Sequence, residues 1–408
     1  MKNIYIYLAI ILLVFTGCQS DDGSEKTIEI TEIELTEPEK ELMENYTDFA
    51  FRLFNQVILS EKENDNLIIS PYSVSHVLSL LCNGAGGNTL AEIKTVLGAD
   101  NATNDELYYY HRKLSLAFNH LDDLVYLPLL NTVWVDKGIE LNHTFELACG
   151  RYGAQINSLD LMDSKAVDTV NDWFVLQTQN RDMRVVDEIP TNTQILLSNA
   201  MSFKGNWIKN LVDFTEKGVF TNEDGTQTQI KMMNPQLYHA LYTNNEHFSI
   251  AEFPYGNEAF SMVILLPNEG KTLSECVSNL TASNWMMWSE TMKEELLQVL
   301  LPCFSLEYKK DLGADLLAMG VKDAFNSERA DFSGISESSI SLSSFFQAYH
   351  LKVDEKSTVS ESVTINETSR SQAEPRPAVP YLVNRPFAFL IKENSTGLIL
   401  FVGKITEL

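Results

Sequence analysis

Apolar side chains recur every three or four positions soon after residue 45, which is the spacing of one face of an α-helix. The residues on that face are Phe49, Leu53, Phe54, Val57 and Ile58. A second helix is predicted to begin at Ser70, because serine caps helix N-termini and Pro71 suits the first helical position. A third amphipathic segment runs from Ser164 to Gln179. Each segment predicts a helix that packs one apolar face against a core.

Between the helical segments lie short runs rich in β-branched and aromatic residues, which predict strands. The runs are Leu129 to Val135, Ile195 to Phe203, Phe260 to Leu266, Val299 to Glu307, Tyr349 to Asp354 and Leu398 to Ile405. Helices and strands follow one another without regular βαβ alternation, so the predicted class is α+β. No Pro- or Ser-rich linker divides the chain between residue 45 and Ser357, so we expect one domain over residues 45–408.

The first 17 residues have the pattern of an export signal. Lys2 precedes an apolar run from Ile4 to Phe15, and small residues follow before Cys18. The run is shorter than the roughly 20 apolar residues of a transmembrane helix. Positions 15–18, with the sequence Phe-Thr-Gly-Cys, resemble a bacterial lipoprotein cleavage box that usually begins with leucine. We expect residues 1–17 to be removed and Cys18 to be lipidated as a membrane anchor; the alternative is an ordinary secretory signal beside an incidental cysteine.

The segment from residue 18 to 44 is polar and acidic. Between Gln19 and Asn45 it has ten carboxylates and two lysines, so its charges repel one another and favour an extended chain. We expect a flexible tether that reaches at most roughly 80 to 90 Å, at about 3.3 Å per residue. The alternation between Thr27 and Leu35 leaves open that this part pairs as a strand. Residues 18–22 resemble the acidic export tags of some lipoproteins, so the expected location is the exposed surface of a bacterial outer membrane.

The charge balance excludes one class of partner. Thirty Lys and Arg residues stand against 56 Asp and Glu residues, which gives a net charge of −26. Such a chain repels the phosphates of nucleic acids, so no nucleic-acid partner is expected. The 408 residues, 44% of them hydrophobic, are enough to bury a large core.

Neither a metal site nor an enzymatic centre is predicted. Apart from Cys18, the cysteines lie far apart without CxxC spacing or a neighbouring histidine, and we expect buried thiols. They are Cys82, Cys149, Cys276 and Cys303. The sequence has no GxSxG, HExxH or Walker motif, and its seven histidines are scattered. We therefore expect no cofactor and no catalytic activity.

A polar segment of about 25 residues, from Glu355 to Val379, separates two strand-like runs near the end of the chain. It has no helical periodicity, and it is too long for an ordinary connection between strands. A long loop in a compact domain is typically functional.

Six ordered blocks spread over residues 45–408 resemble the serpin family of protease inhibitors. They are residues 66–75 (NLIISPYSVS), 84–89 (GAGGNT), 171–174 (NDWF), 197–207 (LSNAMSFKGNW), 353–356 (VDEK) and 384–387 (NRPF). Ala388 departs from the bulkier residue that the family has after the last block. The resemblance implies a single α+β domain with a large central mixed β-sheet, two smaller sheets, about nine helices and an exposed reactive loop over about residues 355–380.

The resemblance also implies a mechanism. A target protease attacks the reactive loop as a substrate and forms an acyl-enzyme, and the loop segment before the cut then inserts as a new strand of the central sheet. Insertion drags the protease across the molecule and distorts its active site before deacylation. The chain is thus expected to be an inhibitor of endopeptidases rather than an enzyme. Strain stored in its own fold would drive the inhibition.

The resemblance implies that the first residues of the loop form the hinge, which must fit the central sheet. They are Glu355, Lys356, Ser357, Thr358, Val359, Ser360, Glu361, Ser362 and Val363. Alternate residues of a strand face the same side, and the inward set is uncharged: Thr358, Ser360, Ser362, Thr364, Asn366 and Thr368. This alternation favours an inhibitor. Ser357 replaces the family's usual glycine and residues 360–363 replace its alanine run, so the alternative is a non-inhibitory, serpin-like binding lipoprotein.

Specificity would come from the residue before the cleaved bond. Counting from the hinge, the resemblance implies a bond between Arg370 and Ser371, and arginine favours trypsin-like serine proteases. Cleavage after Ser371 or Thr368 would instead indicate elastase-like or cysteine proteases. Arg376 is a weaker candidate because Pro377 follows it.

Two structural sites of the family correspond to residues of this chain. The shutter, a polar cluster beneath the central sheet where two strands separate, corresponds to Ser70, Ser73, Asn199 and Gln347. Gln347 stands where many serpins have a histidine. Trp207 is expected to be a bulky plug at the breach, the end of the sheet where insertion begins. Cys303 replaces a basic partner of the hinge, so Glu355 is expected to lack that partner.

Overall fold

A computed structural model of the protein describes residues 32–62, 64–178, 183–191, 193–208, 215–354 and 377–408. The α-helices in these ranges are α1 (Glu37–Ser60), α2 (Pro71–Leu81), α3 (Gly87–Leu97), α4 (Asn104–Phe118), α5 (His143–Arg151), α6 (Ala166–Thr178), α7 (Leu273–Val277), α8 (Ala282–Thr291) and α9 (Gly313–Met319). Not one of these nine has the length and apolar composition needed to cross a bilayer.

Fifteen strands lie in the same ranges, so the α+β class is confirmed. They are β1 (Leu67–Ile69), β2 (Val125–Tyr126), β3 (Leu129–Asp136), β4 (Ala154–Leu159), β5 (Ile195–Gly205), β6 (Thr215–Thr221), β7 (Gln227–Asn244), β8 (Phe248–Pro254), β9 (Phe260–Pro267), β10 (Lys293–Pro302), β11 (Phe304–Asp311), β12 (Leu342–Val353), β13 (Val379–Leu382), β14 (Phe387–Glu393) and β15 (Ile399–Ile405).

Five long strands form the central sheet in the order β11-β12-β5-β3-β4, and the short β2 pairs with the end of β5. The two middle strands, β12 and β5, run parallel, whereas each pairs antiparallel with its outer neighbour. On one face Phe174 of α6 packs with Leu196 and Ala348, and the other face lies on the main core. The middle strands are therefore covered on both faces, which explains their nearly continuous apolar sequence.

The remaining strands form a nine-stranded network in the order β1-β15-β14-β9-β8-β7-β10-β13, with β6 paired to β7. β7 is 18 residues long. Its first half pairs with β6, its last residues pair with β8, and β10 runs along much of its length. The two smaller sheets of the predicted architecture are thus joined through this one strand.

Most predicted elements are confirmed, and one strand is corrected. The run from Val299 to Glu307 is two strands, because β10 ends at Pro302 and β11 begins at Phe304. The Cys303 amide donates to the Lys231 carbonyl at 2.9 Å, and the chain passes there from the nine-stranded sheet to the central sheet. Apolar alternation alone does not reveal this crossing, because both strands are half-buried with similar residue types.

No disulfide bond joins the four cysteines of the domain. Cys82, Cys149 and Cys276 are buried, as expected, whereas Cys303 is partly exposed. Within the described ranges no group of three or more His, Cys, Asp or Glu side chains is arranged to hold a metal ion.

The folded domain begins before residue 45, so the predicted tether is too long at its C-terminal end. α1 starts at Glu37, and the Glu39 carboxylate accepts a hydrogen bond from the Thr36 amide at 2.8 Å. Leu42 is buried in the core between exposed glutamates. The acidic composition concealed this first helical turn, because one or two buried residues are enough to dock a helix end.

Residues 32–36 lie against the domain without forming a strand. The Ile33 amide donates to Ser395 Oγ at 2.9 Å, and Lys113 Nζ donates to the Glu34 carbonyl at 3.1 Å. The alternative of a paired strand is therefore wrong for this described part. The remainder of the predicted tether, together with the export signal and Cys18, lies outside the described residues.

We expect Leu42→Ala to lower the free energy of unfolding by about 2 to 3 kcal/mol, because it removes a buried side chain and leaves a cavity. Leu59→Ala lies in the same helix at a position 81% exposed and is the matched control, with an expected change within about 0.5 kcal/mol. Thermal and urea unfolding of both variants measure the difference. Equal stability of the two variants would show that residues before 45 do not belong to the folded domain.

Candidate functional site

The middle of the central sheet is a parallel pair, and one of its strands ends just before the segment predicted to be the reactive loop. β12 and β5 pair in one register from Phe345 opposite Leu197 to Leu351 opposite Phe203, and a register shift separates these pairs from Leu342 opposite Ile195. β12 ends at Val353, and Asp354 alone separates it from the segment 355–376, which lies outside the described residues. A chain that turned back after β12 would run antiparallel to both middle strands. The sheet can therefore accept one strand here with regular antiparallel pairing on each side.

Trp207 holds the end of β12 at the base of the loop. Its indole Nε1 donates to the Asp354 carbonyl at 3.0 Å. The indole ring is buried and stacks on Tyr255, with ring centroids 4.2 Å apart and an interplanar angle of 15°. The segment after β5 thus reaches across the parallel pair and binds the last residue before the loop. The role of Trp207 as a plug at the breach stays a prediction.

The predicted shutter residues come together beneath the parallel pair. Ser70, Ser73, Asn199 and Gln347 are all fully buried. The Asn199 amide donates to Asn131 Oδ1 at 2.6 Å, and the Gln347 amide donates to Asn199 Oδ1 at 3.4 Å. Three adjacent strands, β12, β5 and β3, are therefore connected by side-chain amides in addition to their backbone pairing.

The same network reaches the helix below the sheet. Ser70 caps α2 by accepting from the Ser73 amide at 3.2 Å, and its hydroxyl donates to Met201 of β5 at 3.0 Å. Ser73 Oγ lies 3.4 Å from the Tyr349 hydroxyl, which donates in turn to Gln347. Burial raises the pKa of Tyr349, so its phenol stays protonated and able to donate. α2 is thus linked to β12 and to β5 by separate hydrogen bonds.

Sequence analysis missed three members of this network. Tyr349 lies two residues after Gln347 and faces the same side of β12, as the period of a strand requires. Asn131 is the register partner of Asn199 across β3 and β5. His76 follows Ser73 by three residues on α2, and its Nδ1 lies 3.3 Å from Asn131 Nδ2. The strand spacing from Gln347 and the helical spacing from Ser73 could have indicated that Tyr349 and His76 belong to this network. Asn131 could be identified only from the pairing of β3 with β5.

His76 gives the cluster an imidazole even though Gln347 occupies the family's histidine position. Burial lowers the pKa of His76 to about 4, so the ring is neutral at neutral pH. Its Nδ1 can therefore accept the hydrogen bond that the Asn131 amide offers. The ring comes from the helix rather than from the sheet.

The hinge residues, Arg370 and Ser371 all lie outside the described residues. Their expected roles, including the missing basic partner of Glu355, stay predictions. Phe304 pairs with Val353, which places Cys303 next in line beside the end of β12. The Lys352 ammonium and the Asp354 carboxylate form an ion pair at 2.7 Å at this same end.

Comparison with known proteins agrees with this architecture. The profile of the family Serpin (serine protease inhibitor) matches residues 44–408. The leukocyte elastase inhibitor of Homo sapiens is 29% identical over 378 residues, which cover 88% of this chain and 98% of that protein. The native state of the thermophilic serpin tengpin superimposes with a TM-score of 0.78 at 26% identity, covering 93% and 96% of the two chains.

Thyroxine-binding globulin, in its complex with thyroxine, is similar to the same degree. Its TM-score is 0.78 at 25% identity, and the alignment covers 90% of this chain and 99% of that one. The family match covers far more than half of the chain and includes the parallel strand pair, the polar cluster beneath it and the tryptophan at its end. The chain belongs to the serpin family.

Proposed function

We propose that this serpin is a suicide-type inhibitor of endopeptidases. A protease cleaves the reactive loop between Arg370 and Ser371, and its nucleophile forms an ester with the Arg370 carbonyl while the Ser371 amine leaves. The loop segment from Glu355 onward then inserts between β12 and β5. The protease stays attached as an acyl-enzyme because insertion distorts its active site before water can release it.

The observation that carries this proposal is the direct continuity between β12 and the loop. The parallel partner of β12 is β5, so a strand that enters between them replaces one parallel ladder with two antiparallel ladders. The net gain is one ladder of about a dozen hydrogen bonds. At about 1 kcal/mol each, they amount to roughly 10 kcal/mol, which is enough to drive the change.

The resting state needs contacts that keep the strands together until cleavage. The bond from Trp207 to the Asp354 carbonyl ties the base of the loop, and the bond from Gln347 to Asn199 spans the parallel pair below it. Side-chain hydrogen bonds of this kind contribute about 1 kcal/mol each. They are strong enough to delay separation and weak enough for strand insertion to overcome.

The side chains predicted to face inward suit the space beneath the sheet. That space is lined by hydroxyl and amide groups, among them Ser73, Asn199 and Gln347. Thr358 and the other inward residues of the loop are small or modest in size and uncharged, so they add hydrogen-bonding groups without burying a charge. The outward residues Glu361 and Glu367 carry the charges of this segment.

The first test uses the chain from Gln19, because a start at residue 45 would remove part of α1. We expect incubation with trypsin to give a covalent, denaturant-resistant complex and a released fragment that begins at Ser371. Denaturing gels and mass spectrometry measure both products. Arg370→Ala should abolish the complex with trypsin while leaving complexes with proteases of other specificity.

Clean cleavage without a complex, and without a gain in thermal stability, would contradict inhibition. It would favour a non-inhibitory binding protein, a possibility supported by Ser357 in the hinge and by the similarity to thyroxine-binding globulin. If Arg370→Ala still forms the trypsin complex, the bond that trypsin cleaves lies at another residue of the loop.

We expect Thr358→Arg to convert the protein from inhibitor to substrate, because a charged side chain would have to enter the core beneath the sheet. The fraction of protease trapped should fall below about one tenth, while cleavage continues. Glu361→Arg introduces the same side chain on the outward face and should preserve trapping. If both variants trap protease equally well, insertion in this register does not occur.

We propose that this inhibitor is held at the surface of a bacterial cell by a lipid on Cys18. The support is the short apolar leader followed by a Phe-Thr-Gly-Cys sequence. Between Cys18 and Glu32, where the described chain begins, a fully extended segment would span roughly 45 to 50 Å at about 3.3 to 3.6 Å per residue. The inhibitor would therefore act on proteases close to the membrane.

We expect Cys18→Ser to abolish incorporation of an alkyne-labelled fatty acid and to shift the protein from the detergent phase to the aqueous phase. Cys82→Ser alters a buried thiol and is the matched control that should retain the label. Labelling that persists in Cys18→Ser would contradict the proposed anchor.

A further inference from the structure

The contact between Trp207 and the last residue before the predicted loop depends on a turn between β8 and β9. Residues 255–259 form this turn, and its first side chain, Tyr255, stacks on the buried Trp207 indole. An isolated antiparallel bridge also pairs the backbones of these two residues. A shift of the turn would therefore move the indole away from the Asp354 carbonyl that it binds.

A buried carboxylate lies against this turn. Asp122 belongs to the connection between α4 and β2 and is only 6% exposed. Its Oδ2 accepts a hydrogen bond from the Asn257 amide at 2.9 Å, and its Oδ1 accepts one from the Leu124 amide at 2.8 Å. The two oxygens thus bind two backbone amides, one in the turn and one in the segment of Asp122 itself.

The turn has room for that carboxylate because its second residue is a glycine. Gly256 has a φ of +44°, a conformation that residues with a Cβ atom rarely adopt. A Cβ atom added at this position would overlap Asp122 Oδ2. The backbone of the turn and the carboxylate therefore pack directly against each other.

Backbone hydrogen bonds join the same segments to the chain just before Trp207. The Gly256 amide donates to the Asn206 carbonyl at 2.8 Å, and the Asn206 amide donates to the Leu124 carbonyl at 3.1 Å. The pairing of β2 with the end of β5 continues this contact. The segment of Asp122, the turn and the end of β5 thus form one hydrogen-bonded unit around the indole.

We propose that Asp122 is a positioning residue for strand insertion. It fixes the turn at 255–259 and, through the Tyr255 ring, keeps the Trp207 indole aligned with the Asp354 carbonyl. The effect on insertion rests on the proposed inhibitory function, whereas the effect on the indole depends only on the described contacts.

A carboxylate suits this position because each of its oxygens meets a different amide. Hydrogen bonds to an ionised acceptor are stronger than those between neutral groups. An asparagine in place of Asp122 would keep the shape but turn its NH₂ group toward one of the two amides, so that one donor would face another. Asp122→Asn therefore loosens the turn with little change of side-chain volume.

A looser turn lowers the barrier to insertion. The bond from Trp207 to the Asp354 carbonyl is one of the contacts that keep β12 beside β5 before cleavage. When the indole can tilt, that bond is formed for a smaller fraction of the time, and the end of β12 separates from β5 more easily. The cleaved loop then enters the sheet faster.

Tryptophan emission of the chain from Gln19 measures the effect on the indole. The protein has five tryptophans, so the emission of Trp207 is the difference between each chain and the same chain with Trp207→Phe. We expect Asp122→Asn to shift this difference spectrum to longer wavelength and to increase its quenching by acrylamide, because the indole gains contact with water.

Asp136→Asn is the matched control. Asp136 also accepts from the amide two residues later, that of Gly138 at 3.0 Å, and from a distant amide, that of Leu161 at 3.2 Å. It lies at the far end of β3, away from Trp207, so the difference spectrum should equal that of the parent chain. If Asp122→Asn does not fold, Asp122→Ser keeps one acceptor oxygen and should shift the spectrum in the same direction. An unchanged spectrum in a folded Asp122 variant would overturn the positioning role.

The effect on insertion is measured as the limiting rate of covalent complex formation at saturating trypsin. Asp122→Asn should raise this rate severalfold, whereas Asp136→Asn should leave it unchanged. In a Trp207→Phe background, which lacks the indole Nε1, Asp122→Asn should have no further effect, because both substitutions act on the same contact. Equal effects of Asp122→Asn in the two backgrounds would show that the carboxylate does not act through Trp207. If no chain forms a complex, the inhibitory function fails, and the emission spectra still decide whether Asp122 positions the indole.

Discussion

The central constraint on this molecule is that its two middle strands are neighbours and run in the same direction. β12 and β5 could each pair more fully with an antiparallel strand between them, and their mutual pairing occupies that position instead. Beneath the sheet, the Gln347 amide bonds across this pair to Asn199, and Asn199 bonds in turn to Asn131 of β3. Serines of α2 brace the pair from below.

Sequence patterns predicted the fold well wherever one structural period dominates. The helix with Phe49 and Leu53, the cap at Ser70 and the strand around Asn199 all lie where expected, because each depends on local spacing or local capping. Blocks shared with the serpin family then supplied the arrangement of these elements, which no local pattern contains. The structure brings the four expected shutter residues together; Ser70, Ser73 and Asn199 belong to such blocks, and Gln347 lies on the strand that leads into the block at 353–356.

The errors arose where tertiary contacts override local composition. The acidic composition at the start of α1 predicted a tether. Instead, the bond between Thr36 and Glu39 begins a helix there, and buried Leu42 packs that helix against the domain. The crossing at Cys303 is hidden because strands on both sides of it have similar sequences. His76 escaped notice for a related reason: its role depends on Asn131, a residue 55 positions away that only strand pairing brings near.

The contact between Trp207 and the Asp354 carbonyl has an optical consequence. Indole emission depends on the polarity and hydrogen bonding around the ring, and this indole is buried, stacked on Tyr255 and bound to the last residue before the loop. Any departure of that residue from the sheet end would remove the hydrogen bond and change the surroundings of the ring. In the proposed mechanism, strand entry begins at this position, so a change in Trp207 emission would report that step in time without a chemical label.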